Sequence, residues 1–161
     1  EAAMPMIYGI TPATGGNLTT NAAGGTATET AFIKPGATRT LWLLALYIVG
    51  KANAKTTISG IAMRVKKWTT ASTAGTAITP QPRDPGYQAA TATAASRPTA
   101  GTGGGTPVLA FGCGAGGPGG WVAPNQDAWL TMAAANAGSI AIDDVCAEAS
   151  QTFEFSGEIA E

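Results

Sequence analysis

The segment "TLWLLALYIVG", residues 40–50, is the least polar stretch of the chain and constrains its fold most strongly. Its leucines would also allow a helix. The Pro35-Gly36 turn before the segment and Gly50 at its end favour a strand instead. Successive side chains of a strand point to opposite faces. One face would carry Leu41, Leu43, Ala45, Tyr47 and Val49, and the other Trp42, Leu44, Leu46 and Ile48.

Both faces of this predicted strand are apolar, so both must be covered. An uncovered second face would be a larger apolar patch than a soluble monomer usually exposes. We therefore predict that a second subunit covers this face, with the chain's own second sheet or its central segment as alternatives. The predicted interface residues on this strand are Trp42, Leu44, Leu46 and Ile48.

Short apolar runs bounded by Gly, Pro, Asn or Asp predict further strands along the chain. These runs are residues 26–36, 56–68, 106–112, 127–134, 139–143 and 151–161. In the second run Ile61, Met63 and Val65 alternate with polar or small residues, which predicts one core face and one basic face. In the last run, Phe153, Phe155 and Ile159 share a predicted core face.

The number of these runs predicts the fold class. About eight short strands, many turn signals and no amphipathic helix are typical of an all-β antiparallel sandwich. Residues 71–107 contain five prolines and form a long central excursion, which suits the crossover of a jelly roll. With 161 residues, the chain fits one domain, which we place at residues 26–161.

Residues 1–25 differ from the rest because they contain two prolines, two Gly-Gly pairs and few large side chains. Ordering a backbone costs about 1–2 kcal/mol per residue, which this segment cannot offset by burying itself. We therefore predict an extended N-terminal arm that takes its contacts from a partner. Its predicted contact residues are Met6, Ile7 and Tyr8.

The charges are few and unevenly distributed. Charged residues are 12% of the chain, against about a quarter in a typical soluble domain. Nine bases and three acids up to Arg97 give +6, and seven acids without a base after it give −7. An interleaved sandwich would neutralise these halves within one subunit. Alternatively, the halves meet across subunits, with Arg64, Lys66 and Lys67 as the basic contact.

Few residues offer catalytic or metal-binding chemistry. The chain has no histidine, which removes the commonest general base and metal ligand. No Ser-x-x-Lys motif supplies another base for a serine nucleophile. Asp143, Asp144 and Glu148 lack the alternating spacing of a calcium loop and are interpreted as a solvated loop end. We therefore expect no enzyme activity, no metal and no cofactor.

Two other patterns are also interpreted as structural. "GCGAGG", residues 112–117, matches a nucleotide-binding fingerprint, but the Pro118-Gly119-Gly120 that follows cannot start the helix that the fingerprint needs. Cys113 and Cys146 are interpreted as buried free thiols.

The expected partners follow from charge and hydropathy. Five bases between residues 51 and 67, with Trp68 beside them, would suit phosphates and stacked bases, but this spacing is more typical of a solvated face. No apolar run reaches the roughly 20 residues of a membrane span. We expect neither a nucleic acid nor a membrane as partner.

Taken together, these features resemble the small β-sandwich or jelly-roll decoration (cement) proteins on the outside of tailed-phage capsids. The resemblance lies in the arm "MPMIYGITPATGGNLTTNAAGG", the Ala/Thr/Gly-rich strands without catalytic residues, and the terminal strand "FEFSGEIAE". It implies a structural virion protein that forms a homo-oligomer, with a trimer favoured. Such a protein would bind the major capsid protein at the outer capsid surface, bridge capsomers and stabilise the shell.

The competing interpretation is a receptor- or carbohydrate-binding sandwich of a phage tail or a similar assembly. That function needs aromatic side chains beside acids, because aromatic rings stack on sugars. The nearest candidates are Trp121, Asp127 and Trp129.

Overall fold

A computed structural model of the chain describes residues 5–12, 17–20, 28–51, 60–114, 116–148 and 151–161. These residues form thirteen strands and a single turn of 3-10 helix at Gln126–Ala128. The strands are β1 (Ile7–Ile10), β2 (Asn17–Thr19), β3 (Thr28–Lys34), β4 (Leu41–Gly50), β5 (Ile61–Thr70), β6 (Thr76–Ile78), β7 (Gln81–Pro82), β8 (Thr93–Ser96), β9 (Thr102–Cys113), β10 (Pro118–Val122), β11 (Leu130–Met132), β12 (Ser139–Cys146) and β13 (Thr152–Ala160). Within the described ranges, no helix is long and apolar enough to cross a membrane.

The strands form two antiparallel sheets that enclose one core. The front sheet has the order β10-β4-β13-β1-β7, with β11 also paired to β4 and β2 to β13. The back sheet has the order β6-β8-β3-β12-β5-β9. The predicted all-β antiparallel sandwich is confirmed.

Eight of these strands have the connectivity of a jelly roll. In chain order they are β1, β3, β4, β5, β9, β10, β12 and β13. In the front sheet the neighbours are β1-β13-β4-β10, which are the first, eighth, third and sixth of the eight strands. In the back sheet they are β3-β12-β5-β9, which are the second, seventh, fourth and fifth. This interleaving is the double Greek key of a jelly roll. The central excursion adds β6 and β8 to the back sheet and β7 to the front sheet.

The core lies between the sheets and is filled by the predicted alternating residues. Ile61, Met63 and Val65 of β5 are buried, and so are Phe153 and Phe155 of β13. Their neighbours along each strand are more exposed. The period-2 patterns therefore placed the core faces of β5 and β13 correctly.

A bulge interrupts the pairing of β4 with β13. Glu158 is paired with Ala45, but the next residue, Ile159, is paired with Leu43. Leu44 is therefore the extra residue on β4, and the alternation of the strand changes phase there.

This change of phase corrects the predicted interface. Leu46 and Ile48 are buried in the core of their own chain, as Leu41 and Leu43 are before the bulge. They cannot contact a second subunit in this fold. Residues from both predicted faces of β4 thus contribute to one core, because the inward and outward positions of the strand exchange at the bulge.

The described part of the predicted arm also lies within the sandwich, which corrects that prediction for residues 5–12 and 17–20. Ile7 is paired with Ala160 in β13, so β1 lies between β13 and β7. Tyr8 is fully buried, and its hydroxyl donates a hydrogen bond of 2.9 Å to the carbonyl of Gln88. Tyr8 is therefore a core residue, and pairing with β13 gives this segment the contacts that it cannot make alone.

The bulge predicts that truncating two nearby leucine side chains of β4 lowers the free energy of unfolding by unequal amounts. Leu46→Ala empties a fully buried site and should lower the free energy of unfolding by about 2–5 kcal/mol. Leu44→Ala alters a half-buried outward position and should cost about 1 kcal/mol. Urea unfolding of both variants measures the difference. Equal losses, or a larger loss for Leu44→Ala, would contradict the register of β4.

Candidate functional site

The outer face of the front sheet carries a strip of apolar side chains along β4 and β10. Val49 is 39% exposed and Val122 is 59% exposed, whereas Trp42 and Leu44 are half-buried. We call the following set the apolar strip: Trp42, Leu44, Val49, Val122 and Trp129. It departs from the polar surface expected of an antiparallel sheet that faces water.

One end of the apolar strip is covered by the chain itself. The rings of Trp42 and Trp129 meet edge to face, with centroids 6.3 Å apart and planes at 63°. Trp129 follows the 3-10 turn directly. Asn125 caps the start of this turn, because its side chain accepts a 3.2 Å hydrogen bond from the Ala128 amide. The capped turn thus holds Trp129 over Trp42. Val122, paired with Ala45 beside Leu44, and Val49, paired with Pro118 at the other end of the strip, remain exposed.

The predicted basic contact lies on the opposite sheet. Arg64 is exposed on β5, but Lys66 places its Nζ 2.6 Å from a carboxylate oxygen of Asp143. The same Nζ lies 4.3 Å from the ring centroid of Trp68. Lys67 donates a 2.8 Å hydrogen bond to the carbonyl of Thr131. Lys67 therefore reaches the front sheet beside Trp42, with which Thr131 is paired. Arg64 and Lys66 remain on the outer face of the back sheet, away from the apolar strip.

The remaining predicted contact residues, Met6 and Ile7, are half-buried at the start of the front sheet. Met6 packs against the core and exchanges two backbone hydrogen bonds of 3.0 Å with Glu161. These contacts hold it within its own chain.

The charge asymmetry is resolved within the subunit. Five ion pairs each join a base from the first part of the chain to an acid from the last part. They are Arg39–Glu161, Lys51–Glu154, Lys66–Asp143, Arg83–Glu158 and Arg97–Asp144. This confirms the interpretation that the two halves of an interleaved sandwich neutralise each other.

A buried polar cluster lies on the outer face of the back sheet beneath Lys66 and Trp68. The Glu29 carboxylate accepts hydrogen bonds from the Ser72 hydroxyl and, at 3.1 Å, from Trp68 Nε1. Burial raises the pKa of Glu29, and the charge of Asp143 raises it further, against the opposing effect of the hydrogen bonds and of Lys66. Oδ1 of Asp143 is buried without a hydrogen-bond partner among the described residues.

The acids once considered for calcium do not converge. Asp143 bonds to Lys66, whereas Asp144 accepts hydrogen bonds from Arg97 and, at 2.7 Å, from the Thr30 hydroxyl. Successive residues of a strand point to opposite faces, which explains the separation. The described part of the chain contains no group of three His, Cys, Asp or Glu residues that could hold a metal ion.

Both cysteines are buried thiols that form no disulfide, as predicted. Cys113 and Cys146 are both paired with Ile61, from opposite sides of β5. Two strand spacings separate them by about 9.6 Å, beyond the roughly 7 Å over which a disulfide forms. Burial also raises the pKa of the Cys113 thiol. The Gly-rich stretch after Cys113 leads to β10, so no helix follows it.

The aromatic residues predicted for sugar binding are not assembled into one surface. Trp121 packs against the core, and Trp129 packs on Trp42. Asp127 is exposed in the 3-10 turn. The exposed aromatic of the front sheet is instead Tyr47, which is 39% exposed. The sequence pattern had grouped Tyr47 with the core residues Leu41 and Leu43, because no local signal marks the bulge.

Comparisons with protein-family models, with curated protein sequences and with solved structures found no match to this chain. The function is therefore argued from the jelly roll, the apolar strip and the placement of charges.

The buried Glu29 predicts a pH dependence of stability. Its pKa is higher in the folded chain than in the unfolded chain, so the folded chain binds this proton more tightly. The resulting stabilisation is full below the ordinary pKa of about 4.5 and is lost as pH rises through the raised value. Glu29→Gln removes this titration.

Urea unfolding across this pH range should show the wild type losing stability relative to Glu29→Gln as pH rises. Asp143 and Lys66, which face Glu29, are present in both proteins, so the difference isolates Glu29. A constant difference between the two curves would contradict a raised pKa.

Proposed function

We propose that this chain is a structural virion protein that self-associates through the apolar strip and decorates the outer surface of a phage shell. The observation that carries the proposal is the pair of exposed valines, Val49 and Val122, on a face that Trp42 and Leu44 make apolar. Contiguous apolar surface of this kind marks interaction sites in soluble proteins.

The placement of the charges supports an apolar contact. The five ion pairs join bases and acids of the same subunit, and the side chains of Asp143 and Asp144 are almost completely buried within them. These charges are therefore already neutralised within the chain. Burying a valine side chain is worth about 1.5–3 kcal/mol, so a few such residues sustain an interface.

The partners follow from the same surface. Its first occupant is a second copy of this chain, in a homo-oligomer for which a trimer is favoured. Its second partner is the major capsid protein, whose neighbouring copies the oligomer would bridge. The jelly roll supports this assignment, because capsid proteins use this double-sheet architecture, as lectins also do. The proposed location is the outer surface of the virion.

Replacing both exposed valines tests self-association. Val49→Thr with Val122→Thr keeps the shape of each side chain but removes about 0.8 kcal/mol of apolar transfer energy at each position. The dissociation constant of the oligomer should therefore rise about tenfold or more. Light scattering should show the mass falling toward the 16.0 kDa of one chain.

Val108→Thr is the matched control, because Val108 is 54% exposed on β9, the edge strand of the other sheet. It should leave the mass unchanged. A double valine variant that keeps the wild-type mass, or a wild type that is already monomeric, would refute self-association through the apolar strip.

Attachment to a shell is tested with salt. An apolar contact should lose little affinity between about 50 and about 500 mM NaCl, whereas exposed ion pairs are screened over this range. Cosedimentation of the protein with empty capsids measures the bound fraction. A loss of about tenfold or more would show that exposed charges such as Arg64 dominate the contact. Absence of cosedimentation at any salt concentration would contradict the decoration function.

A further inference from the structure

A polar groove lies on the front sheet, on the side of Tyr47 away from β10. Its volume is about 390 Å³, within the range of small-molecule sites. It is lined by residues of four neighbouring strands and the segment after β7. Its lining includes Gly9, Thr11, Tyr47, Gln81, Arg83 and Ser156.

The strand register explains why a depression forms here. Gly9 is paired with Glu158 on one side and with Gln81 on the other. Because Gly9 has no side chain, the Arg83 side chain can lie beside it, with Nε 4.0 Å from the position that a Cβ of residue 9 would take. In the next outward row, Tyr47 is paired with Ser156, which is also small. The sheet thus has a floor of small residues, with an aromatic wall at one end.

The opposite wall is charged but neutral overall. The Arg83 guanidinium bonds to the Glu158 carboxylate across the groove rim. The Arg83 backbone amide also donates a 2.9 Å hydrogen bond to the Ile7 carbonyl, which fixes this segment against β1. The groove therefore offers planar donor and acceptor groups at one end and an exposed ring at the other.

These groups match one ligand class. A pyranose has an apolar C–H face, which suits the exposed ring of Tyr47, and adjacent hydroxyls, which suit the paired atoms of a guanidinium, carboxylate or amide. A free anion is disfavoured because Glu158 already neutralises Arg83. An apolar peptide is disfavoured because Gln81, Arg83 and Ser156 line the groove.

We propose that this groove binds a neutral saccharide, with Tyr47 as the stacking platform and Arg83 and Gln81 as partners of its hydroxyls. Ser156 and Thr11 supply further hydroxyls at the floor and the end of the groove. The groove meets the apolar strip at Tyr47, which lies between Leu44 and Val49 on β4, and otherwise lies on β13, β1 and the segment around β7. It adds a ligand-binding activity to the proposed structural function.

Filling the groove tests the proposal. A Cβ added at Gly9 would have no neighbour closer than 4.0 Å, the nearest atoms being Arg83 Nε and the Gln81 carbonyl oxygen. The methyl groups of Gly9→Val would extend into the space beside the Arg83 side chain and narrow the groove, and valine suits a strand. Ala62→Val is the matched control, because Ala62 is an exposed strand residue of the back sheet.

The probes are the methyl glycosides of glucose, galactose, mannose and N-acetylglucosamine, studied by saturation-transfer NMR with the full chain. At least one should bind at millimolar concentration. Gly9→Val should abolish this binding, Tyr47→Ala should weaken it about tenfold or more, and Ala62→Val should leave it unchanged. If Gly9→Val fails to fold by circular dichroism, Tyr47→Ala decides the result, because Tyr47 is 39% exposed and its truncation spares the core.

Three outcomes would overturn the proposal. The first is that none of the four glycosides binds, and the second is that binding survives both groove variants. The third is that glucose 6-phosphate binds more tightly than methyl glucoside, which would identify an anion site instead. The Val49→Thr, Val122→Thr variant should keep saccharide binding, so failure of self-association and failure of this site are distinguishable.

Discussion

The bulge between β4 and β13 determines which side chains of the front sheet reach the core and which reach the surface. Before Leu44, the inward residues are Leu41 and Leu43, and after it they are Leu46 and Ile48. The same change of phase turns Tyr47 and Val49 outward. The core, the apolar strip and the aromatic wall of the groove all depend on this one extra residue. A regular β4 would bury Tyr47 and Val49 and expose Leu46 and Ile48.

Ion pairs connect the central excursion to the sandwich. Arg83 follows β7 and bonds to Glu158 of β13, and Arg97 follows β8 and bonds to Asp144 of β12. The first pair is largely exposed and contributes little to stability, but the carboxylate of the second is buried and would be costly to leave unpaired. The pairs thus hold a proline-rich segment with few large apolar residues in one position. Because they pair charges of opposite sign within the chain, they also reduce the number of unpaired charges at the surface.

The front sheet presents two neighbouring surfaces of different chemistry. The apolar strip follows β4 and β10, whereas the groove crosses β13, β1 and β7. Under the two proposals the surfaces meet at Tyr47, which lies between Leu44 and Val49 on the outer face of β4. The buried Glu29 cluster lies on the back sheet and takes part in neither surface. Its carboxylate instead fixes Trp68 and Ser72 against the outer side of that sheet.

The sequence by itself determined β3, β4, β5, β9, β11, β12 and β13, together with the sandwich class. It also determined the core faces of β5 and β13, because the alternation of Ile61, Met63 and Val65 is a local pattern with a period of two. It also indicated that charges of opposite sign would meet within an interleaved sandwich. Only the tertiary structure decided the bulge in β4, because a bulge exists relative to the partner strand and leaves no local mark. The same holds for residues 7–10, which read as an arm because their pairing partner, β13, lies at the other end of the chain. Long-range pairing therefore placed Tyr8, Leu46 and Ile48 in the core and left Tyr47 and Val49 at the surface, since burial depends on which strand lies opposite and not on the apolar pattern alone.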